Sequence, residues 1–148
     1  MAASPFERNP LQGVLVLLAG AAFYTVLLLK AIGLGAAWSM PQFMQWIDDP
    51  HARFWAWNEL LNTAIVVLTG LPFAWLLARL YARRLLPAAL VVVMPTVLWM
   101  GLDYLAMRDE APDAPAVLNI FYALDAAKVL LAVPLMSLLL RARGKAAA

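Results

Sequence analysis

The chain has no cysteine and a single histidine, His51, in 148 residues. No disulfide, thiol nucleophile or iron–sulfur cluster can be built within it, and one copy cannot supply a histidine-cluster metal site or a bis-histidine haem. Charge is scarce: Asp, Glu, Lys and Arg make up 14% of the residues, where about a quarter is usual in a soluble domain. There is no Gly-rich phosphate loop, Ser–His pairing or aspartate-rich metal signature. No cofactor and no metal are therefore expected. The few basic residues lie against apolar runs, so nucleic acid is not an expected partner.

Apolar residues fill the space that charge leaves. The AVILMFWYC set reaches 65%, against roughly 45–50% for a soluble domain even with Gly counted. A soluble protein of this size could not hide so much apolar surface, whereas a bilayer can. Four apolar runs stand out, at about 11–37, 58–80, 86–107 and 116–140. Each has at least about 20 residues, which at about 1.5 Å per residue crosses a hydrocarbon core about 30 Å thick. Backbone groups in lipid must be satisfied within the segment, and the runs lack the alternation of barrel strands. The expected fold is an all-α integral membrane protein: one transmembrane domain over 1–148, a bundle of four transmembrane helices. The first run is longer than a signal-peptide core and carries Lys30, so it is read as a retained span.

Four spans put both termini on one side. That side would hold Arg8, Arg79, Arg83, Arg84, Arg141, Arg143 and Lys145, and the other only Arg53 and Arg108. The positive-inside rule makes the first side cytoplasmic. The alanine- and arginine-rich composition suggests a bacterial inner membrane. In the long connection before the second run, Phe43, Met44 and Ile47 share one helical face. They predict a short amphipathic helix in the outer interface, started at Pro41 and ended by Asp48-Asp49-Pro50. The short basic turn near 81–85 predicts that spans two and three are antiparallel neighbours. The turn at 108–115 is acidic and Pro-rich and reads as a solvated turn.

Leu68–Arg79 and Leu130–Arg141 both place a proline seven residues before an arginine. This spacing would fit two helical hairpins related by a parallel duplication. Gly70, Ala74 and Ala78 on span two, and Ala123 and Ala127 on span four, form small-residue stripes suited to close helix packing. Pro72, Pro95 and Pro134 fall inside spans, where a static bend is the default.

Five ionisable residues lie within the runs: Lys30, Glu59, Asp103, Asp125 and Lys128. A charge at the centre of a membrane helix costs about 2.5–3.5 kcal/mol on insertion scales, so such groups seek partners. Asp125 and Lys128 are three residues apart and can meet on one face, as can Glu59 and Asn62. Asn119 and Tyr122 extend a polar strip from Asp125. The expectation is that spans two, three and four turn Asp125, Lys128, Asp103, Glu59, Asn62, Asn119 and Tyr122 together, with Lys30 joining from span one. They would line a polar pocket that opens outward. The competing structural reading has Glu59 as a solvated first-turn residue, Lys30 snorkelling, and Asp125–Lys128 as a self-neutralised pair.

The reading that asks least of these residues is an accessory or scaffolding subunit of a membrane complex, partnered by lipid and by another membrane protein or a second copy. The alternative is a small proton- or ion-coupled transporter with Asp125 as proton carrier. An intramembrane enzyme acting on lipid, using Asp103, Asp109, Glu110 and Asp113 with a divalent metal, lacks a supporting motif, so no catalytic residues are assigned.

Overall fold

A computed structural model describes residues 9–81, 83–110 and 116–146. They form four long helices: α1 (Pro10–Gly35), α2 (Pro50–Leu80), α3 (Leu85–Glu110) and α4 (Ala116–Ala146). All four are long and apolar enough to cross a membrane. Even α1 and α3, at 26 residues, measure about 39 Å. The protein is thus a small all-α bundle with four potential membrane spans.

Local chemistry sets the helix starts. Asn9 caps α1, its side chain accepting from the Gln12 amide, with Pro10 in the first turn where no donor is needed. Asp49 caps α2, accepting from the His51 amide at 2.9 Å, and Pro50 follows it. The second helix therefore begins eight residues before the expected position and takes in Trp55 and Trp57. Pro72, Pro95 and Pro134 lie inside helices that run on through them.

The expected amphipathic helix is a five-residue 3-10 turn, Gln42–Trp46. Pro41 and the α2 cap leave too little chain for more. Only Met44 is buried; Phe43 meets Trp57 edge-on at 6.4 Å, and Trp46 is exposed. Arg53 donates to the Ile47 carbonyl at 2.7 Å and ties this connection to α2. Of the acidic turn at 108–115, residues 111–115 lie outside the described residues.

Specific contacts fix the directions of the helices. Tyr24 meets Phe73 edge-on, and Gly35 lies against Leu61 and Ile65, so α1 and α2 are antiparallel. Thr25 and Thr96 share a hydrogen bond of 2.8 Å between the parallel helices α1 and α3. Trp55 stacks on Phe121, and Gly70 lies against Val133 and Met136, between the parallel helices α2 and α4. Tyr104 donates to Asn119 across the antiparallel α3–α4 pair.

Around the bundle the order is α1, α2, α4, α3. Spans two and three are therefore diagonal and touch little, which corrects the expectation that they are neighbours. Residues 81–84 join them, and four residues reach about 13 Å when extended, enough to cross the bundle end. Tyr81, buried in this link, donates to the Gly13 carbonyl of α1 at 2.7 Å and closes that end. The two hairpins lie side by side, α1 beside α3 and α2 beside α4. A two-fold axis along the bundle would put those pairs on the diagonals instead. Pro72 is exposed while Pro134 is buried, so the matched prolines are not equivalent.

The core holds Tyr24, Leu28, Phe73, Ala74, Leu77, Leu85, Ala88, Ala89, Val92, Val93, Val129 and Val133. Gly70 and Ala74 serve the close packing expected of them. Ala123 and Ala127 do not, because both are exposed, Ala123 along an open groove between α3 and α4.

Candidate functional site

The polar residues gather at the end of the bundle that carries the connection 36–49. Lys128 of α4 donates to Asp125 Oδ1 at 2.8 Å, one turn back on the same helix, and to Glu59 Oε2 of α2. Two carboxylates thus share one ammonium, which leaves a formal charge of −1. One helical turn toward the connection, Trp55 and Phe121 stack with ring centroids 4.5 Å apart and planes 9° from parallel. This stack lies over the same α2–α4 seam.

Because α2 starts at Pro50, Glu59 stands nine residues, about 13 Å, inside its helix. The competing reading of Glu59 as a solvated first-turn residue does not hold: the macrodipole acts within the first turn, and Glu59 lies beyond it and is ion-paired with Lys128.

Beside this group all four helices line an open cavity of 310 Å³, at whose edge Trp99 and Asp103 remain exposed. Its polar lining is Asn62, Asp103, Tyr122 and Asp125. Trp99 and Met100 of α3 and Val66 of α2 add apolar wall, as do Leu29 and Ile32 of α1. The helical period explains the set: Asn62 and Val66, Asp103 and Trp99, and Tyr122, Asp125 and Val129 are each three or four residues apart, so each series falls on one face. Asp125 belongs to both features, since it accepts from Lys128 and also lines the cavity.

Two of the expected residues stand apart. Asn119 accepts from the Tyr104 hydroxyl at 2.9 Å. It lines a second groove, of 350 Å³, between α3 and α4 with Gly101 and Ala126. Tyr122 borders both spaces and stands 5.3 Å, centroid to centroid, from Tyr104. Lys30 does not join the site, which corrects the expected contribution of span one. The buried face of α1 runs through Ala21, Tyr24, Leu28 and Gly35. At about 100° per residue, Lys30 falls on the opposite side from Leu28 and is exposed.

Trp99 and the Trp55–Phe121 stack were not singled out from sequence as parts of the site. Trp99 is four residues before Asp103, a spacing that could have revealed it. The pairing of Trp55 with Phe121 depends on two helices far apart in the chain and has no local signal. Among the described residues, no group of three or more His, Asp or Glu is placed to hold a metal ion. The chain matches no protein-family model, no curated protein and no solved structure.

Proposed function

We propose that the protein crosses a bacterial inner membrane four times with both ends in the cytoplasm, and that it moves a small solute or ion through the cavity beside Asp125. The exposed faces support the membrane setting. Leu15, Leu18, Phe23, Leu68, Leu98, Leu102, Leu131 and Leu139 all point away from the bundle, and an apolar surface of that extent suits lipid rather than water. Seven basic residues against two support the orientation. The cavity then lies in the outer half, with the connection 36–49 and its 3-10 turn at the outer interface.

The observation that carries the transport reading is the double membership of Asp125. A carboxylate held by Lys128 on one side and facing a cavity on the other can exchange a proton or a cation with whatever enters. The neighbouring ammonium meanwhile keeps it from being an isolated charge in lipid. Glu59 holds Lys128 when Asp125 changes partner. Purified protein in liposomes is expected to move protons or a solute, and Asp125→Asn is expected to abolish that coupling. Coupled flux that persists in the variant would remove Asp125 from the mechanism.

Lys30 favours a second reading, an accessory subunit. It is an exposed ammonium in the last third of α1, and a partner helix with an acidic residue would neutralise it. Purification in mild detergent is expected to retain a stoichiometric partner on this reading, and Lys30→Leu to lose it. Isolation as a lone chain would count against it.

A further inference from the structure

We infer that the cavity shared by the four helices is a binding site for a small organic monocation, an amine or quaternary ammonium bearing alkyl groups. This rests on the reading of the cavity as an outward pocket and specifies what it takes. Two carboxylates, Asp103 and Asp125, line the space, and no basic side chain lines it. Lys128, the ammonium beside Asp125, is engaged by two acids. The lining is therefore electronegative, which disfavours anions and gives a neutral solute no advantage.

The walls decide which kind of cation fits. Leu29, Ile32, Val66, Met100 and Val129 are apolar, so a bare metal ion would lose its water with few oxygens to replace it. Metal sites of that kind need six or more oxygen ligands, and no such cluster is present among the described residues. An alkylammonium carries a diffuse, weakly hydrated charge. Its alkyl groups gain from the apolar wall while its charge gains from the carboxylates, and the Trp99 indole adds the ring type best suited to a quaternary ammonium. At 310 Å³ the cavity is at the small end of the range for ligand pockets, so the ligand is a compact one.

The chain's lack of cysteine makes a direct test practical. Asn62→Cys in right-side-out vesicles is treated from outside with two impermeant reagents of similar size, trimethylammonium-ethyl and sulfonato-ethyl methanethiosulfonate. Each rate is divided by that reagent's rate with a small free thiol. The cationic reagent is expected to react about tenfold faster or more, as in a cleft that concentrates counter-ions. Asp103→Asn, which leaves the Lys128 ion pairs intact, is expected to cut that preference, and tetraethylammonium is expected to slow labelling. If neither reagent reacts, the outward pocket itself is refuted. If both react equally, if Asp103→Asn leaves the preference unchanged, or if tetraethylammonium gives no protection, the pocket stands and the organic-cation site is refuted.

Discussion

The two halves of α3 differ in a way that organises the whole molecule. From Leu85 to Thr96 it buries Leu85, Ala88, Ala89, Val92, Val93 and Thr96; from Val97 to Glu110 it buries no residue fully. Side-chain size explains the change. Ala88 and Ala89 let neighbouring backbones approach, as Gly70 and Ala74 do on α2, and small residues at an interface are how membrane helices pack tightly. Trp99, Met100 and Tyr104 instead line spaces between the helices. The first half is a buried core pinned by Tyr81 and by the Thr25–Thr96 bond, with mainly apolar grooves of 200 and 270 Å³ along its flanks. The second half borders the open cavity and carries Asp103, and at its level lie Glu59 of α2 and Asp125 and Lys128 of α4. The closed half sets the geometry, and the open half is where chemistry can happen.

Mutations that separate these halves should have unequal effects. Lys128→Met removes the cation between Glu59 and Asp125. The three side chains keep only 21–27% of their exposure, so the loss should be about 3 kcal/mol, the low end for breaking a buried ion pair. Adding Glu59→Gln and Asp125→Asn should recover most of it. Unfolding midpoints in detergent read both, and an unchanged Lys128→Met midpoint would mean that the ion pairs do not hold the open half together.

A smaller contrast comes from placing the same side chain in each half. At Gly70 an added Cβ would stand 2.9 Å from Met136 Cε and 3.1 Å from Val133 Cγ2. Gly70→Leu should therefore cost about 1–3 kcal/mol, as overpacking does. At Gly101 nothing lies within 4 Å, so Gly101→Leu should stay within about 0.5 kcal/mol of the parent. Equal losses would erase the distinction between the halves.

The apolar runs made the four helices legible, because any twenty-residue apolar stretch is dictated by lipid thickness and backbone hydrogen bonding. Their ends were less so. Asp49-Pro50 is a helix start written in capping chemistry, but the polar and aromatic stretch after it reads as connection by hydropathy, and so Glu59 was placed at an edge that it does not occupy. The bundle order was not legible either: four residues suffice to cross a diagonal, and nothing local to 81–84 chooses between neighbour and diagonal. For the site, the three-residue spacing of Asp125 and Lys128 is a sound guide, because the two side chains meet; Glu59 and Asn62, equally spaced, go to different features, Glu59 to Lys128 and Asn62 to the cavity wall. Lys30 lies away from the site: depth along a helix says nothing of direction around it. The phase of Ala21, Tyr24, Leu28 and Gly35 on the same helix carries that direction.

The division of α3 is most directly tested by cysteines at two of its positions ten residues apart, Val93→Cys and Asp103→Cys, each exposed from outside the membrane to an impermeant thiol reagent. Labelling at 103 with none at 93 is the expected result. Equal labelling at both, or none at 103, would contradict a bundle that is closed over one half and open to water over the other.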